Sequence, residues 1–142
     1  MPLIFQHMIF RRDLRANRDH LYLFGDNEER KGLGGQAGEM RGEPNAHGIR
    51  VKRAPSWERW AFWTDEDFDR VCLLIKEDFE KPYRWINAGK IVVVPERGLG
   101  TERGALHTDA PRILEFINEK ITLLHRIGEE LVKDQEQSRP PE

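Results

Sequence analysis

Two glycine-rich runs hold the residues with the widest chemical scope in this chain. The apolar segment HLYLF leads into GDNEERKGLGGQAGEMRGEPN, and KIVVV leads into PERGLGTERGA. In open α/β sheets ligands sit outside the C-terminal ends of the strands, and glycine lets backbone amides come close to a phosphate. Gly25, Asp26, Asn27, Gly34, Gly35, Gln36, Gly98, Gly100 and Thr101 therefore form a candidate pocket for a nucleotide or ADP-ribose. Neither run matches the dinucleotide fingerprint or a phosphate loop, which ends in Lys then Ser or Thr. Asp26, Asn27 and Gln36 suit the orienting of a ribose or a water, while the simpler reading is an Asx-turn at the strand end and a polar core contact. Glu28 and Glu102 argue against an anion site, because carboxylates beside an amide nest repel the phosphate it would hold.

Other candidates are fewer. The histidines at 7, 20, 47, 107 and 125 include no close pair at metal-ligand spacing, and the single Cys72 cannot complete a zinc site with them, so no metal is expected. His107 and Glu102 are a conceptual acid-base pair that no motif supports, so no catalytic residue is assigned and binding, not catalysis, is the expectation. Cys72 falls on the core-facing stripe of a helical pattern, where a thiol behaves as a small hydrophobe. Trp57, Trp60, Phe62 and Trp63 cluster with Arg53 and Arg59 interleaved, a combination that stacks bases or anchors a protein partner. Trp63 is claimed by a helix start, which leaves Trp57 and Trp60. Arg11, Arg12, Arg15 and Arg18 would meet phosphates, but a net charge of −2 supplies no global field toward nucleic acid or an anionic membrane.

The elements that must position these residues alternate between strand and helix. Leu3 to Phe10 and His20 to Phe24 are short apolar runs that suit strands, with antiparallel pairing left open. Gln36 to Met40 offers a helical turn and HGIRVKR a brief strand. Thr64 caps a helix with Asp67 three residues on, and Trp63 and Phe68 form a hydrophobic staple around the cap. Val71, Cys72, Ile75 and Phe79 continue the stripe until Pro82 is expected to stop it. KIVVV reads as a strand covered on both faces and therefore central. A last helix opens at Thr108 or Asp109 with Pro111 in its first turn.

In that last helix Leu114, Ile117, Ile121, Leu124, Gly128 and Leu131 repeat at alternating three- and four-residue steps, with Ile113, Phe116, Leu123 and Ile127 alongside. The apolar face is wider than one docking surface requires. A partner contact is thus expected through Leu114, Ile117, Ile121, Leu124 and Leu131, with Trp57 and Trp60 added. The expected architecture is α/β (or α+β), a small, mostly buried mixed sheet with flanking helices and a long C-terminal amphipathic helix. Its division is a core domain over 1–109, the helix over 110–132 and a disordered tail over 133–142.

A hydrophobic share of 38% and a charged share of 34% in 142 residues suit one core. A lone cysteine, no long apolar run and no basic leader suit a cytoplasmic setting. Arg outnumbers Lys by 16 to 7, a heat-adapted cast. LYLFGDNEERKGLGGQAGEMRGEPNAHGIRVKRAPS, the Thr-Asp helix start, and VVVPERGLGTERGAL followed by Ala-Pro and a helix resemble a family of small phage proteins over about residues 21–117. By length, composition and helical C-terminus the chain resembles those of its members with which thermophilic bacteriophages bind host RNA polymerase. The resemblance implies a regulator on the flap of the polymerase β subunit and the sigma factor C-terminal domain, inhibiting host promoter recognition and favouring antitermination. It implies no cofactor and no obligate small molecule, and it carries over no site residue. The competing expectation is a macrodomain-like ADP-ribose or nucleotide binder or hydrolase, resting on the glycine loops.

Overall fold

The computed structural model describes residues 2–101 and 104–138. Its centre is a sheet of β1 (Leu3–Gln6), β2 (Leu21–Asn27), β3 (Ala46–Lys52) and β4 (Val92–Pro95) in the order β1-β4-β2-β3. The α/β expectation is met and KIVVV is central. Every pair is parallel, not mixed. The reason lies in the connections: α1 (Arg11–Ala16), α2 (Gln36–Met40) and α3 (Phe68–Asn87) each fall between successive strands, and such a helical crossover returns the chain in the same direction. The run expected as one strand over Leu3 to Phe10 accordingly ends at Gln6. The second strand runs past Phe24 to Asn27, so its last residues belong to the glycine loop.

Alternation along the strands sorts two cores. Leu21, Leu23, Val92, Val94, Ile49 and Val51 face one side, under α3 and the final helix α5 (Pro111–Gln137). Tyr22, Phe24 and Val93 face the other, under Leu14 of α1 and Ala37 and Met40 of α2. Burial on both faces explains why β2 and β4 read as continuous apolar runs.

Two expected helix ends are corrected. Pro82 does not stop α3, which continues to Asn87 with Pro82 buried inside it. A proline has no N–H to offer the carbonyl four residues back, and here that carbonyl, of Asp78, accepts from His47 Nε2 at 2.7 Å instead. The last long helix opens at Pro111, after a short α4 (Leu106–Asp109), and neither Thr108 nor Asp109 caps it. The Asp65 carboxylate reaches across to accept from the Arg112 and Ile113 amides at 3.1 and 3.2 Å. The Thr64–Asp67 capping box forms as expected, through a turn of 3-10 helix that leads into α3.

α5 turns most of the expected partner seam inward. Ile117, Ile121 and Leu124 are buried in the protein's own core, while Leu114 and Leu131 are half-buried. Its face is wide because it packs at once on the sheet, on α3 and, at Gly128, on Pro2. The helix also runs to Gln137, into the stretch expected as tail. Residues 133–137 carry no Gly or Pro, so nothing local ends it.

On the other face Glu43 ties α1 to the segment after α2. Its carboxylate accepts from Arg18, Arg15 and Arg11 at 2.8, 2.9 and 3.2 Å. Three of the four arginines weighed for phosphate contact are therefore held by this carboxylate, while the exposed Arg12 lies over the Phe10 ring. Arg18's hydrogen bond, with those of Arg15 and Arg11, lowers the Glu43 pKa from 4.5 to about 2. A depressed carboxyl pKa gives stability that is complete above the unfolded value and lost as pH falls through the folded one. Glu43→Gln should therefore flatten the loss of melting temperature between pH 4.5 and about 2. An acid limb as steep as that of the wild type would refute this assignment.

Candidate functional site

β2, β3 and β4 all end at the same edge of the sheet, and parallel pairing makes this a necessity. The loops that leave these strands must therefore gather there. All nine residues of the candidate pocket line one cavity of about 310 Å³, within the range of small-molecule sites. Lys31, Leu33, Arg41, Val51, Lys52 and Trp57 complete much of its wall.

Gln36 bridges the two glycine loops. Its Oε1 accepts from the Gly25 amide at 2.9 Å and its Nε2 donates to the Gly98 carbonyl at 3.4 Å. Side chains are absent where the loops close: a Cβ on Gly25 would stand 3.3 Å from Val51 Cγ2, and one on Gly100 2.5 Å from Leu106 Cδ1. The second loop thus packs under the first, and the cavity opens beside both.

Asp26 and Asn27 follow the simpler reading. Asn27 Oδ1 accepts from the Glu29 amide, an Asx-turn, and its Nδ2 donates to the Lys31 carbonyl. The buried Asp26 carboxylate accepts from Arg41 at 2.5 Å and Arg30 at 3.2 Å. Arg41 also donates to the Gly32 and Lys31 carbonyls, so one guanidinium pins the loop to the strand end. Arg30 adopts a left-handed backbone (φ 57°), and its side chain spans from Asp26 to Asp78 of α3. These two carboxylates shape the loop and are engaged in doing so.

The objection from Glu28 falls away. Glu28 lies outside the cavity wall, where its carboxylate accepts from Arg70 at 2.7 Å and Trp63 Nε1 at 2.9 Å. Burial alone would raise its pKa, but the bonds from Arg70 and Trp63 outweigh that and hold it low. Glu102 lies outside the described residues. So does its pairing with the exposed His107.

Trp57 and Lys52 mark the far wall. Trp57 is 69% exposed at the cavity rim, and Lys52, buried at the end of β3, donates to the Ser56 carbonyl at 2.9 Å. Its Nζ lies 4.2 Å from the Phe62 ring centroid and 5.4 Å from that of Trp57. Trp57, expected at a partner surface, proves to be a pocket residue as well, whereas the exposed Trp60 does not line the cavity. Lys52 and Arg41 escape the sequence reading. Lys52 is findable, because it ends a third strand that parallel pairing brings to the same edge. Arg41 carries no such signal. Trp63 is fully buried, and Cys72 is half-buried, with burial pushing its thiol pKa up.

The cavity wall offers cations (Lys31 and Lys52), a flat aromatic face and close backbone, while Arg41 and the Asp26 carboxylate offset each other. That combination suits an anionic ligand bearing a flat ring. No group of three or more His, Cys, Asp or Glu capable of holding a metal occurs among the described residues, and no described helix is long and apolar enough to cross a membrane. The model of a family of unknown function (DUF7831) matches residues 4–120. No curated protein and no solved structure matches the chain.

Proposed function

We propose that this chain, which belongs to the DUF7831 family of unknown function, binds a nucleotide-class ligand in the cavity between its two glycine loops. The observation that carries the reading is the convergence of the two glycine loops, through Gly25, Gln36, Gly98 and Gly100, with Lys52 and Trp57 on one cavity beyond the ends of three parallel strands. Crevices in that position receive ligands in open α/β sheets. Trp57 supplies a face for a base, and Lys52 with Lys31 supplies charge for phosphates. Macrodomain-like chemistry for ADP-ribose is one form of this reading.

Calorimetry with AMP, ADP-ribose and NAD tests it. Saturable binding is expected for at least one of the three. Trp57→Ala should weaken it by about 1–3 kcal/mol, the worth of one base-aromatic stack. Absence of saturable heat for all three up to millimolar concentration, from a protein that still melts cooperatively, would end the proposal.

The phage resemblance supplies a second reading, a regulator bound to host RNA polymerase. The observation in its favour is the pair of exposed tryptophans, Trp57 and Trp60, since the helix seam is occupied by the sheet. Co-purification with host polymerase that is lost on Trp60→Ala, with nucleotide binding intact, would support it. A failure to co-purify would remove it.

A further inference from the structure

On the face opposite α1 and α2, the two longest helices leave a groove that the nucleotide reading does not use. It has a volume of about 310 Å³ and lies between α3 and α5. Phe79 and Leu124 form its buried floor, and Tyr83 and Leu123 stand 44% and 36% exposed on its walls. Leu73, 68% exposed, extends the apolar surface along α3. Positions 73, 76, 80 and 83 share one helix face, so Leu73 and Tyr83 stand about 15 Å apart on it with the charged Lys76 and Glu80 between them.

Charge says what fits there. Lys76, Arg84 and Lys120 rim the groove against the single carboxylate of Glu80. None of the three cations makes an ion pair among the described residues, although elsewhere arginines converge on Glu43, Asp26 and Asp78. The whole chain carries −2, so this positive rim is local. A second copy docked by two-fold symmetry would set these cations against themselves, which disfavours self-association. An amphipathic helix has the complementary shape, an apolar stripe flanked by charge.

We infer that the α3–α5 groove is a docking site for an amphipathic helix of a partner protein, with acidic residues flanking its apolar stripe. Leu123 and Tyr83 receive the stripe; Lys76, Arg84 and Lys120 receive the acids. The surface is separate from the nucleotide cavity, and its occupation does not depend on a ligand there.

Selection from a library of helical peptides about 20 residues long, long enough to hold helix in water, tests the assignment. Acidic residues should be enriched beside an apolar i, i+4, i+7 stripe in the selected binders. The combined variant Lys76→Glu, Arg84→Glu, Lys120→Glu should weaken the best binder at least about tenfold, and Leu123→Asp should abolish binding. Charge reversal sets three carboxylates at i, i+4 spacing along α3 and Leu123 is partly covered, so a modest drop in melting temperature is expected, and cooperative unfolding checks that both variants fold. The assignment is overturned if no peptide is selected, if the selected peptides are neutral or basic, or if charge reversal leaves affinity unaltered. Sedimentation showing a dimer that Leu123→Asp dissolves would assign the face to a second copy and overturn it equally. Nucleotide calorimetry on the same variants should be unaffected, which keeps this test apart from the one on the cavity.

Discussion

Asp78→Ala is expected to lower the free energy of unfolding by about 3 kcal/mol, since it strips the nearer counter-ion from Arg50 and leaves it only the exposed Glu77, at 3.4 Å. The carboxylate is 2% exposed and accepts from Arg50 Nε and Arg30 at 2.9 and 2.5 Å. It also accepts from the Arg50 amide at 2.8 Å. That last bond matters for the fold, because β3 is an edge strand and α3 lies along its open side. Arg30 donates in turn to the Gly48 carbonyl on the same edge at 2.9 Å. Side chains thus take up strand groups that would otherwise invite another strand.

The two guanidiniums would respond differently to the loss. Arg30 is 40% exposed and can turn toward water, while Arg50, at 14%, is trapped between β3 and α3. The cost therefore falls mainly on Arg50 and on the orphaned edge amide. Urea unfolding measures it: the midpoint should fall with little change in the slope. Asp78→Asn, which keeps an acceptor but loses the charge, should fall between the two proteins. A loss below about 1 kcal/mol would mean that Arg50 also reaches solvent, and the edge-capping account would fail.

This network also marks the limit of what the sequence can disclose. Local signals are legible: the Thr64–Asp67 box sets the start of α3, and three valines between Gly89 and Pro95 mark the central strand. The candidate pocket is legible too, because two glycine loops after buried strands must meet once the sheet is parallel. The features that escape depend on partners far apart in the chain. Pro82 looks like a helix stop until His47, 35 positions earlier, is found on the carbonyl that the proline leaves bare. Asp65 caps a helix that begins 46 positions later. The apolar breadth of α5 is plain in the residue pattern but points to a partner, since one sequence cannot say that a helix wedged between a sheet and α3 needs two apolar rows.

Gly100→Ala should cost more stability than Gly42→Ala and should abolish ligand binding in the cavity. The comparison isolates space from backbone strain. Both glycines have positive φ, +79° and +97°, so an alanine at either site carries a similar penalty of about 1–2 kcal/mol. They differ in what the new methyl meets. At Gly42 nothing lies within 4 Å, whereas at Gly100 the methyl would stand 2.5 Å from Leu106 Cδ1 and 2.9 Å from Val51 Cβ. Neither neighbour can easily yield, because Leu106 and Val51 are buried in the main core and Val51 is fixed in β3. Overpacking of this kind adds about 1–3 kcal/mol. Part of the strain can be relieved by lifting the Gly98–Thr101 loop, and that movement deforms the cavity wall and draws the Gly98 carbonyl from Gln36. Thermal unfolding and nucleotide calorimetry on the two variants decide the matter. Equal losses of stability would show that the loop is not packed as described, and a Gly100→Ala protein that binds nucleotide as tightly as the wild type would show that the ligand does not sit against this loop.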